Sequence, residues 1–102
     1  MVRIEVKKLE SFLERNQGLM FTDSIRPVYF ETRFGIHTFF VRQKLDIVIL
    51  DSMGKVQVLK EGLCSNRVFF WNMKYKRIIE MPMGQIDALK LEIGTQITIS
   101  FV

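Results

Sequence analysis

Three side chains could carry chemistry: His37, the single histidine of the chain; Asp46, set among aliphatics in Leu45-Asp46-Ile47-Val48; and Glu80, which interrupts Ile78-Ile79-Glu80-Met81. A carboxylate buried without donors costs on the order of several kcal/mol or takes up a proton, so an inward-pointing acid needs a partner. For Asp46 the candidates are His37, Arg42, Arg77 and backbone amides; for Glu80 they are Arg77 and Arg67. If His37, Asp46 and Glu80 share one cavity, the like charges raise one carboxyl pKa and suit acid–base or hydrolytic catalysis. If they do not, Asp46 ties down the turn after Val41, His37 is a packed hydrogen-bonded ring and Glu80 is exposed or paired.

Other reactive types offer less. Cys64 stands alone, so no internal disulfide forms, and a reducing, cytoplasmic compartment is expected. With one His, one Cys and no CxxC or HExxH spacing, no tetrahedral metal site can be assembled from the usual ligands without scattered carboxylates, and no cofactor is expected. The six glycines are isolated, which excludes a phosphate-cradling loop. The run Arg67 to Arg77 mixes basic and aromatic residues. Trp71, Lys74, Lys76 and Arg77 on an exposed face would bind single-stranded nucleic acid by stacking and charge. The plainer reading divides the aromatics between the core and a partner surface and leaves the lysines solvated. A net charge of +4 permits an anionic partner without requiring one.

The 102 residues, 48% of them hydrophobic and 25% charged, predict one globular domain over residues 1–102. Apolar runs such as Ile47 to Leu50 are far shorter than a membrane helix, and the alternating start is no signal peptide. Arg3 to Lys7 alternates with period two, as a half-buried strand does. Ser11 and Glu14 have capping-box spacing, which predicts a short helix over Ser11 to Gln17, closed by Gly18. Leu19 to Phe21 follows as an apolar plug, Asp23 to Pro27 as a loop and Val28 to Phe30 as a short strand. Ile36 to Val41 and Leu45 to Leu50, joined by Arg42-Gln43-Lys44, read as a central pair apolar on both faces. Strands are also expected over Lys55 to Lys60, Arg67 to Trp71, Lys76 to Pro82 and Thr95 to Phe101. Glu61 to Asn66 reads as a loop, and Ile86, Leu89 and Ile93 as a helical turn within Gly84 to Glu92. About eight short strands make a β-sandwich or squashed barrel.

Four segments in order, Gly18-Leu19-Met20-Phe21, Ile36-His37-Thr38-Phe39-Phe40-Val41, Leu45-Asp46-Ile47 and Ile79-Glu80-Met81-Pro82-Met83-Gly84, resemble the domain of unknown function 192 family. The second segment is similar to its archaeal branch, and the likeness runs from about Leu9 to Val102. It implies a jelly-roll-like sandwich and no agreed activity. Thr22, Thr38 and Thr95 replace the arginine, methionine and aspartate usual in the family, so an anion site built on that arginine does not carry over. The leading functional expectation is a non-catalytic ligand-binding or protein-interaction module with a polar pocket at His37, Asp46 and Arg77. An acid–base enzyme using His37, Asp46 and Glu80 is the alternative, with nucleic-acid binding third. The expected partner is a small molecule or a protein, not a membrane, with the chain a monomer or homodimer.

Overall fold

The computed structural model describes residues 1–8, 27–33, 35–37, 44–64 and 67–102. The helix expected over Ser11 to Gln17, the Leu19 to Phe21 plug and residues 38–43 lie outside them. The strands are β1 (Val2–Lys8), β2 (Val28–Glu31), β3 (Ile36–His37), β4 (Leu45–Leu50), β5 (Val56–Leu63), β6 (Val68–Phe69), β7 (Arg77–Pro82) and β8 (Ile97–Phe101), with a one-turn helix α1 (Gln85–Ala88). Six strands form a sheet of order β5-β4-β7-β2-β1-β8, and β3 pairs with β6 in a separate ribbon. The sheet curls into an open half-barrel, and the described residues are mainly β with one small helix. No helix among the described residues is long and apolar enough to cross a membrane.

The alternation of side chains divides the core in two. Val48, Leu50, Ile79 and Met81 lie on one face with Ile4, Val6, Tyr29 and Ile97, and α1 and its continuation add Ile86 and Leu91. Leu45, Ile47, Ile49 and Ile78 lie on the other with Val28, Phe30 and Leu63, where the ribbon packs through Ile36 and Phe69. Below, these are the helix face and the ribbon face. Strand β4 is buried along its whole length because both faces are covered, as a run apolar but for Asp46 predicts.

Two expectations need correction. Ile36 to Val41 and Leu45 to Leu50 were expected to pair, but Ile36 and His37 pair with Phe69 and Val68, while β4 lies between β5 and β7. A polar turn indicates where the chain bends but not which strand lies alongside. Strand β5 also continues to Leu63, through residues whose charges had suggested a loop.

Asp51 closes the β4–β5 hairpin by accepting the N–H groups of Lys55 (2.9 Å) and Met53 (2.8 Å) and the Gln57 amide (3.0 Å). These donors, the Lys55 amide foremost, hold its carboxyl below the usual range. The hairpin tip also joins the two ends of the half-barrel: Ile97 N–H donates to the Gly54 carbonyl and Val56 N–H to that of Thr95, both at 2.9 Å. Gly54 has φ +84°, and a Cβ there would lie 2.9 Å from the Ile97 carbonyl oxygen. Gly54→Ala is therefore expected to cost about 1–3 kcal/mol, read as a lower urea midpoint; an unchanged midpoint would remove Gly54 from this closure.

Candidate functional site: the Gly62 bulge and its clefts

The site begins with a register shift. Leu45 opposes Leu63 and Ile47 opposes Lys60, so β5 carries one residue more than β4 across this step. Such a bulge frees a backbone group from the ladder, and a glycine accommodates the turn it requires. Gly62 does so with φ +62°.

Asp46 answers the bulge. Its residue is 1% exposed, and Oδ1 accepts the Gly62 N–H at 2.9 Å. Oδ2 accepts the N–H groups of Gly84 at 3.0 Å and Ile86 at 2.9 Å. These open α1, whose N-cap, Gly84, provides no side-chain cap, so a carboxylate from β4 caps the helix instead. Asp46 is buried, then, and its described partners are amides of β5 and α1, not His37 or Arg77.

Two clefts of about 330 Å³ each meet at Gly62. One is lined by Lys60, Leu63, Cys64, Arg67, Val68 and Phe69, and is basic with apolar walls. The other is lined by Asp46, Glu61, Met83, Gly84 and Asp87, and its exposed charges are acidic. Lys60 opposes Ile47 on the ribbon face, whereas Asp46 opposes Met81 on the helix face. The clefts therefore open on opposite faces of the sheet, either side of β5. Sequence reasoning missed Lys60, Glu61, Gly62 and Asp87, and named Arg67 only as a candidate partner of Glu80 and the start of the basic-aromatic run. The available signal was Gly62 itself, since an isolated glycine in a strand-like run marks a bulge.

Glu80 lies elsewhere. It opposes Ile47 and Val28, which places it on the ribbon face, away from Asp46. Its residue is 7% exposed, no donor among the described residues reaches its carboxyl, and burial pushes its pKa up to about 8. The expectation of an exposed or paired Glu80 is thus corrected, and the acids of the acid–base reading lie on opposite faces. His37 joins neither acid by strand pairing; its backbone pairs with Val68, which lines the basic cleft. Among the described residues no group of three His, Cys, Asp or Glu side chains could hold a metal ion.

Arg77 sits at the opposite end of β7 from Met81, the partner of Asp46. Its Nε donates to the Tyr29 hydroxyl at 3.0 Å, and its guanidinium also reaches the carbonyls of Asp51 (3.3 Å) and Ser52 (3.4 Å). Tyr29 donates to Glu31 Oε2 at 2.7 Å, and this bond is the main reason the Glu31 carboxyl is held low. Burial, partly opposed by Arg77, raises the Tyr29 phenol. Lys76 lies 3.5 Å from Glu31. Trp71 is half-buried against the ribbon-face core, with its indole N–H given to the Tyr75 carbonyl at 2.7 Å. Of the residues in the nucleic-acid reading, Trp71 packs inward and Arg77 braces a turn, while Lys74, over the Tyr75 ring, and Lys76, beside Glu31, are exposed.

Comparison with known proteins matches residues 1–99 to the family model DUF192, described as Uncharacterized ACR. A UPF0127 protein of Thermococcus sibiricus is 37% identical over 99 residues, an alignment covering 90% of this chain and 64% of that protein. The chain thus spans slightly less than two thirds of that relative. A UPF0127 protein of Pyrococcus furiosus is 33% identical over 105 residues, covering 94% of this chain and 87% of the relative. Among solved structures, a protein of unknown function from Novosphingobium aromaticivorans superposes with a TM-score of 0.76 at 14% identity, covering 87% of this chain and 70% of that one. At that identity the likeness is one of fold.

Proposed function

The chain belongs to the DUF192 family, whose description carries no activity, and from that premise we propose a non-catalytic binding module that takes its ligand beside the Gly62 bulge. One observation carries this reading: the buried carboxylate at the site is engaged in holding the bulge, with three N–H donors on its two oxygens. Asp46 therefore shapes the clefts and keeps no obvious capacity to react. Each cleft, at about 330 Å³, is at the small end of ligand-site sizes. Charged side chains at the rims, Lys60 and Arg67 on one side and Glu61 and Asp87 on the other, provide polar recognition. The pocket expected near His37 and Asp46 becomes, in this reading, two clefts that meet at Gly62, an acidic one lined by Asp46 and a basic one bordered by Val68, the strand partner of His37.

The test is a titration of the full chain followed by amide NMR, with acetate, phosphate, guanidinium and glycine as separate probes. Acetate and phosphate should shift residues 60–64 and 67–69; guanidinium should shift residues 61–62 and 83–87; each should saturate in the millimolar range. Shifts scattered over the surface, or none at all, would remove the binding reading.

A further inference from the structure

We infer that the ligand is an extended peptide segment laid along the outer edge of β5, with a basic side chain in the acidic cleft and the neighbouring acidic side chain in the basic cleft. The inference rests on the binding reading above and specifies what binds. Strand β5 is an edge of the six-stranded sheet. Among the described residues its outer edge is covered only at Val56, where Gly94 N–H donates to the Val56 carbonyl (2.8 Å) and Val56 N–H to that of Thr95 (2.9 Å). Among the described residues nothing covers that edge beyond Val56, and it presents backbone groups to which another strand can add.

The position of the clefts selects this class of ligand. A compact molecule touching both would have to bend around the sheet edge. Successive side chains of an extended peptide already point to opposite faces, so two adjacent residues reach both clefts without distortion. The charges then set the register: a slip of one residue moves each side chain to the other face, against a cleft of its own sign. Edge strands are commonly protected by charges and bulges, and Lys60, Glu61 and the Gly62 bulge fit that role against indiscriminate pairing. They also favour a segment of complementary charge. Because the positive φ of Gly62 and the register shift break the extended run, an added strand pairs along residues 57–61 and stops at the bulge.

The probe is the blocked peptide acetyl-Val-Thr-Lys-Glu-Val-Thr-amide, titrated into the 102-residue chain and followed by amide NMR. Shifts are expected along residues 57–63 and at Asp87. Peptides with Lys-Lys or Glu-Glu at the centre should bind roughly fivefold more weakly, the worth of one mismatched rim charge. A peptide N-methylated at both central residues should lose binding, because the backbone pairing is blocked. Lys60→Gln and Asp87→Asn, both at exposed positions, should each weaken the Lys-Glu peptide similarly without changing the melting temperature. If acetate and guanidinium occupy the clefts but the peptide leaves β5 unshifted, the peptide inference fails and the binding reading stands. If the N-methylated peptide binds as well as its parent, strand addition fails. If neither probes nor peptide bind, both fail.

Discussion

Replacing Asp46 with alanine is expected to lower the unfolding free energy by about 4 kcal/mol, because three amides lose their acceptor at once. The Ile86 amide is buried, and the Gly62 and Gly84 amides are partly so. Orphaned buried donors cost about 1–3 kcal/mol each, with the less buried ones recovering part of that from water. For a domain near this size the loss corresponds to a fall of roughly 15–25 °C in melting temperature. Asp46→Asn should recover only part of it, since an amide offers one acceptor oxygen and turns an NH₂ group toward N–H donors. The loss should also exceed that of His37→Ala. Chemical denaturation measures all three, and an Asp46→Ala variant within about 1 kcal/mol of wild type would remove the anchor from the account.

The opposite sign is expected at Glu80. Its pKa rises from 4.5 to about 8 on folding, so below pH 4.5 the side chain is protonated in both states and carries no ionisation penalty. As pH rises from 4.5 toward 8 the unfolded chain releases this proton while the folded chain keeps it, and stability falls by about 1.4 kcal/mol per pH unit. Above that window both states are ionised and the penalty levels off. Glu80→Gln removes the titration while retaining the shape. The variant should therefore be more stable than wild type by on the order of 3 kcal/mol near pH 7, with the gain vanishing toward pH 4.5. Urea unfolding of both proteins at several pH values tests this, and a constant difference across the window would show that Glu80 does not titrate as its burial requires.

The two acids also mark how far the sequence could be read. Alternation correctly grouped Asp46 with Val48 and Glu80 with Ile78, because side-chain direction along a strand is a local property. It could not relate the two strands. That depends on Ile47 opposing Glu80, a register set by packing between distant segments. The partners of Asp46 were beyond reach for the same reason, lying 16, 38 and 40 residues away. Strands β4 and β7 stood out because their apolar residues run nearly unbroken. Residues Glu61 to Leu63 have a loop's composition in the sequence because a charged edge strand with a bulge has the same make-up.

The placement of β1 has a consequence for biogenesis. It runs parallel to both β2 and β8, and Val2 faces Ile97, 95 residues further along the chain. During synthesis, β1 leaves the ribosome long before β8 exists to lie beside it, so that side stays open until nearly all of this stretch has been translated. Contacts of such long range slow folding. The nascent protein must therefore keep β1 from straying to other partners until β8 has emerged.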